Sequence, residues 1–210
     1  MNSFWDNSWE KVDRERVTQY VDSFGMEQDN IIKWLHSQQV RTVCDAGCGC
    51  GIYTLKLSTN GFVVSGFDVS GFAVKIAQEL LRNASVQAEL KTASVLSTGY
   101  PDNWFDGVVS RDVIDHMRKK DAIAAVRELY RILKPGGILL ITLDSLDSEY
   151  ETEHHTVNDD GDFLFTEGKW NGMVFHPYEG GEIHHLIPSG GIWQMEYHEG
   201  EMILQVKKPA

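Results

Sequence analysis

Val43–Gly51 reads Val-Cys-Asp-Ala-Gly-Cys-Gly-Cys-Gly, and no other stretch restricts the fold as tightly. Val40, Thr42, Val43 and Cys44 form the end of a buried strand. Asp45 closes it, glycines alternate at 47, 49 and 51, and Ile52, Leu55 and Leu57 follow at roughly helical spacing. A strand, a glycine turn and a helix in that order let a nucleotide-like ligand lie against backbone where Cβ atoms would collide. The spacing is Asp-x-Gly-x-Gly-x-Gly, not the Gly-x-Gly-x-x-Gly of dinucleotide-binding turns.

A second strand, Phe62-Val63-Val64-Ser65-Gly66-Phe67, runs into Asp68, 17 residues beyond Gly51. A carboxylate there can accept hydrogen bonds from ribose hydroxyls. It can equally close the turn before Ser70 caps the next helix, so both roles stay open. Phe105-Asp106-Gly107-Val108-Val109-Ser110 reads as a fourth strand. Leu-Tyr-Arg-Ile-Leu-Lys-Pro-Gly-Gly, residues 129–137, ends a helix and releases the chain into a fifth strand, Ile138–Leu143.

These segments resemble the class I S-adenosylmethionine (SAM)-dependent methyltransferases. The glycine turn is similar to motif I of that family and Asp68 to its acidic ribose position. Phe105–Val109 resembles motif IV, and 129–137 the segment that follows it. The resemblance covers 40–143 closely and 183–207 loosely. It implies SAM as cofactor, with S-adenosylhomocysteine as product. The implied cofactor contacts are Asp45, Gly47, Cys48, Gly49, Asp68, Val69, Ser94, Val95 and Arg111. Ser94 departs from the family, which commonly carries an acidic residue there for the adenine amino group; a hydroxyl still accepts or donates.

Strands alternating with helices over 40–143 predict an α/β fold. With the resemblance, the expectation is a doubly wound, mostly parallel seven-stranded sheet of Rossmann-like methyltransferase type with helices on both faces. Residues 1–38 read as an N-terminal helical cap. Residues 39–210 read as the SAM-binding core, with a cover inserted at about 144–182. In the cap, one apolar stripe from Trp9 to Phe24 predicts a single helix, with Phe4-Trp5-Asp6 standing before it. The two aromatics pack on the sheet edge or serve as a lid. A short helix over 29–37, a helix opened by Ser70, a strand over 87–92 and a helix capped by Asp121 follow. A hairpin of 193–198 and 202–206 turns at Gly200.

Acidic residues outnumber basic ones 31 to 19, for a formal charge of −12, which disfavours nucleic acid as a partner because phosphate contacts need clustered Lys and Arg. No apolar run reaches the roughly 18 residues of a membrane span. The first residues lack the basic segment and apolar core of a signal peptide, so a cytoplasmic location is expected. The three cysteines, 44, 48 and 50, are too close together to form ordinary disulfides. Cys44-x-x-x-Cys48 begins like an iron–sulfur motif, but the third cysteine falls one place early.

Methyl transfer from a sulfonium asks the protein to position an acceptor, exclude water and, when needed, remove a proton. His116, just beyond the fourth strand, is the candidate catalytic base, or else a helix-start histidine bonded to backbone. Arg111 either binds an anionic acceptor or pairs with Asp112 or Asp115. Trp5, Arg111, His116 and His176 are the candidate acceptor contacts. No metal is expected: His154–His155 and His184–His185 are adjacent pairs, and no His-x-x-x-His spacing occurs. The function expected is methyl transfer to a small-molecule acceptor by a monomer or homodimer. The alternatives are a non-catalytic SAM-binding regulator and an NAD-linked oxidoreductase.

Overall fold

Helices and strands alternate around one seven-stranded sheet in the computed structural model, which describes residues 3–25, 29–146, 148–198 and 200–210. Three helices come first: α1 (Ser3–Glu10), α2 (Arg14–Phe24) and α3 (Asn30–Ser37). The core then runs β1 (Thr42–Ala46), α4 (Ile52–Thr59), β2 (Val63–Asp68), α5 (Gly71–Asn83), β3 (Glu89–Thr92), β4 (Phe105–Arg111), α6 (Lys119–Ile132) and β5 (Leu133–Asp144). A small unit follows, α7 (Ser148–Thr152), β6 (His155–Val157), β7 (Phe163–Phe165) and β8 (Val174–Phe175). The hairpin β9 (Ile192–His198) and β10 (Glu201–Lys207) ends the fold.

The strand order is β3-β2-β1-β4-β5-β10-β9. The first five strands pair in parallel, and β10 runs antiparallel to both neighbours. The central strands are apolar on both faces because both are covered. Cys44, Val108 and Leu139 point into one core with α6; Val43, Val109 and Leu140 point into the other with α3 and α4. Helices on both faces and one closing antiparallel hairpin match the expected architecture. The unit between β5 and β9 is a separate three-stranded sheet, β6-β7-β8, packed on Tyr150, Phe165, Met173 and Phe175.

Two local expectations are corrected. The N-terminal stripe is two helices, not one, and Phe4, Trp5 and Asp6 lie inside the first. Asp13 divides them by accepting the Glu15 amide at 2.9 Å, an N-cap that starts α2 afresh. Asp121 does not cap α6; it sits in the first turn, and the helix begins at Lys119. The Lys119 amide donates instead to Asp162 Oδ1 at 2.9 Å, so a carboxylate from the small unit closes this helix end. Smaller shifts place the third strand at 89–92, extend the fourth through Arg111 and widen the closing hairpin to 192–198 and 201–207.

Candidate active site

The strand order reverses between β1 and β4, and a cavity of about 1000 Å³ lies at the carboxyl ends of β1, β2 and β4. The turn after β1 forms its floor. The Gly47 and Cys48 amides donate to the Phe67 carbonyl at 2.8 and 2.9 Å, tying the turn to β2. Gly49 has φ +50°, and a Cβ on it would stand 3.0 Å from the Trp9 ring, so α1 rests directly on the turn. Gly51 serves packing instead: a Cβ there would collide with Ala77 of α5. Asp45 is buried behind the turn and accepts the Thr54 hydroxyl at 2.5 Å; burial pushes its carboxyl up to about 6.

Asp68 is buried at the cavity wall, where burial raises its pKa against the pull of its amide donors. Oδ2 accepts the Gly49 amide at 2.9 Å and Oδ1 the Ser70 amide at 2.8 Å. It therefore braces the turn, and each oxygen keeps lone-pair capacity for a ligand. Val69, Ser94 and Val95 line the adjoining wall, with the Ser94 hydroxyl accepting the Leu96 amide at 3.1 Å. Of the two roles open to the Arg111 side chain, pairing with Asp112 or Asp115 is not seen. Its guanidinium lies 4.8 Å above the Tyr53 ring and 3.3 Å from Glu201 of β10, while its buried Nε has no hydrogen-bond partner among the described residues.

His116 lines the cavity opposite the turn, edge-on to Trp5 at 5.2 Å and flanked by Phe175 at 5.7 Å. Burial lowers its pKa, against the opposing field of Asp144 and Asp112, which keeps the imidazole neutral near pH 7. Behind it, Asp115 is fully buried and accepts the Asp144 amide on Oδ2 at 2.8 Å. Burial and the neighbouring Asp112 push Asp115 up to about 7; burial, Asp112 and Asp115 push Asp144 up to about 6.

All nine expected cofactor positions, together with Trp5 and His116, therefore line one cavity. His176 does not. It is buried beneath the small sheet, with Nδ1 3.0 Å from Asp162 Oδ1 and Nε2 3.6 Å from Glu182. The carboxylates of the small unit hold it there, which its place after a strand did not reveal. Tyr20, Phe24, Tyr53, Asp112 and Glu201 also line the cavity without having been singled out. Asp112, beside Arg111 at a strand end, was within reach of sequence reasoning; Glu201 comes from the last strand and carries no local signal.

Residues 44–141 match a family described as a methyltransferase domain. Phosphoethanolamine N-methyltransferase 3 of Arabidopsis thaliana is 34% identical over 125 residues, 59% of this chain and 25% of that protein. The 2-methyl-6-phytyl-1,4-hydroquinone methyltransferase of Synechocystis is 39% identical over 101 residues, 48% of this chain and 31% of that protein. The chain thus spans only 25% and 31% of the lengths of these curated relatives. Among solved structures, a SAM-dependent methyltransferase of Methanosarcina mazei superposes with a TM-score of 0.72 at 21% identity, over 87% of this chain and 99% of that one. The magnesium protoporphyrin IX methyltransferase of Synechocystis, solved with bound SAM, gives 0.61 at 20% identity, over 90% and 78%. The glycine turn, the strand order and the methyltransferase domain matched over 44–141 thus agree with the resemblance to the class I S-adenosylmethionine-dependent methyltransferases, and the fold is that of the solved methyltransferases named above.

Proposed function

We propose that the chain catalyses methyl transfer from SAM to a small-molecule acceptor, releasing S-adenosylhomocysteine. The observation that carries this reading is the single cavity that runs from the glycine turn and Asp68 to Trp5 and His116. At about 1000 Å³ it has room for a nucleoside and an acceptor together, which a pure cofactor-binding regulator does not need. The residues fit the cofactor. Asp68 suits ribose hydroxyls, Val69, Ser94 and Val95 suit the base, and Arg111 Nε, which has no hydrogen-bond partner among the described residues, suits a carboxylate. When bound, SAM supplies the electrophilic methyl group. The chain's own part is to hold the acceptor against the paired Trp5 and His116 rings, to shield it from water with α1 and the small unit, and to take its proton on His116.

The relatives named above are a phosphoethanolamine N-methyltransferase and a hydroquinone methyltransferase, so amines and quinols are the first acceptors to screen. The excess of 31 acidic over 19 basic residues supports a small molecule over nucleic acid. No described helix is long and apolar enough to cross a membrane. Release of S-adenosylhomocysteine across an acceptor panel tests the activity. With an acceptor in hand, His116→Ala should lower kcat roughly 10²-fold or more while leaving the SAM Kd within twofold. An unchanged kcat would return His116 to a packing role.

A further inference from the structure

Behind the acceptor end of the cavity stands a group of side chains that methyl transfer leaves unexplained. One ligand atom from each of Asp115, His116 and Asp144 lies within 4.8 Å of the other two. This is not an ordinary exposed acidic patch, since Asp115 is fully buried. The Asp115 and His116 amides favour its charged form, yet Oδ1 has no well-directed donor among the described residues. His116 Nδ1 is buried and likewise has no hydrogen-bond partner among them. Two buried atoms of this group that can offer lone pairs have no hydrogen-bond partner among the described residues, which is costly unless something positively charged binds them.

Nothing among the described side chains supplies that charge. The Arg111 guanidinium is committed to Glu201, and no lysine or arginine pairs with Asp115 or Asp144. The geometry is held from the backbone, because the Asp144 amide fixes Asp115 through Oδ2 and leaves Oδ1 turned elsewhere. Two carboxylate oxygens and one imidazole nitrogen are a donor set for a borderline divalent ion; magnesium and calcium prefer oxygen alone, and no thiolate is present to select a softer ion. A dication would also neutralise the buried Asp115 carboxylate and the half-buried one of Asp144.

We propose that Asp115, His116 and Asp144 form a binding site for a divalent first-row transition-metal ion, zinc or cobalt in type, and that the ion acts as an inhibitor. The ion takes the imidazole lone pair that proton transfer requires, so an occupied site withdraws His116 from the reaction. The inhibitory half rests on the methyl-transfer reading above; the binding half does not.

Titration calorimetry of the chelator-treated chain with ZnCl₂, and absorption spectroscopy with CoCl₂, test the binding half. One ion per chain is expected, with cobalt d–d bands showing nitrogen and oxygen ligation. Asp144→Asn and His116→Gln should each weaken zinc binding at least tenfold, whereas Asp159→Asn in the exposed loop should not. Retained SAM binding shows that each variant is folded, and the wall-lining His116→Gln serves if the half-buried Asp144 variant is not. Absence of stoichiometric binding, or equal zinc affinity in the His116 variant, overturns the site. For an acceptor that the ion-free chain turns over, stoichiometric zinc should abolish turnover and EDTA restore it; faster turnover with zinc overturns the inhibitory role. An ion-free chain that turns over no acceptor refutes the methyl-transfer reading, while the titration still decides the site.

Discussion

The Asp106 carboxylate gathers the Arg41 amide at 3.1 Å, the Thr42 amide and hydroxyl at 2.9 Å each, and the Lys134 ammonium at 2.7 Å. It thereby fastens the start of β4 to β1 and to the segment that opens β5, so this acid of the Phe-Asp-x-Val-Val motif is structural. Partial burial works against its charge, but the Lys134 and Thr42 donors outweigh that and hold the carboxyl down to about 2. A folded pKa below the ordinary value of about 3.9 stabilises the fold above pH 4, and the gain is lost as pH falls through about 2. Asp106→Asn should cost about 2 kcal/mol at pH 7, read as a lower urea midpoint. The gap between the two proteins should narrow steadily from pH 5 to pH 3; a gap that stays constant would remove the charge from the explanation. The residue type was plain in the sequence, but its partners were not, because they lie 28 to 65 positions away along the chain.

Elements were legible where their signals were local. Ser70 caps α5 by accepting the Ala73 amide, and α5 starts where that signal put it. The parallel strands were equally plain, since burial on both faces leaves an apolar run that polar helix faces interrupt. Boundaries set from afar were not. The N-terminus of α6 is closed by Asp162, 43 residues downstream, and no spacing rule connects the two. Asp162 is fully buried and also binds His176 Nδ1 and the Asn158 amide group, so one carboxylate ties the small unit to the start of α6. Asp162→Ala should cost about 3 kcal/mol, because it leaves several buried donors without an acceptor. The loss should be concentrated in the small unit, with limited proteolysis cutting within 153–182 much sooner than in the parent. Cleavage spread evenly over the chain would mean that Asp162 supports the whole fold instead.

The cavity belongs to no single region. Its floor comes from the β1–α4 turn, one wall from α1 and α2, another from the β4–α6 connection, and its rim includes Glu201 of the last strand. Glycines and strand-end acids were readable because backbone geometry demands those residue types at those places. Trp9, Tyr20, Phe24 and Glu201 were not, because an aromatic on an amphipathic helix reads the same whether it meets a core or a ligand. A ligand that touches all these parts binds only the folded chain and must stabilise it by mass action. At a SAM concentration 100 times its Kd the gain is about 2.7 kcal/mol, which for a chain of this size raises Tm by roughly 5–10 °C. S-adenosylhomocysteine should act alike, and NAD, which the turn spacing does not suit, should leave Tm unchanged. Asp68→Asn keeps one acceptor oxygen for the turn amides but loses the charge facing a ribose. Its own Tm should fall by several degrees, because one of the two amides then loses its acceptor, while the SAM-induced rise at the same concentration should shrink by more than half. A full rise in that variant would take Asp68 out of the cofactor site, and a rise with NAD as large as with SAM would contradict the cofactor assignment itself.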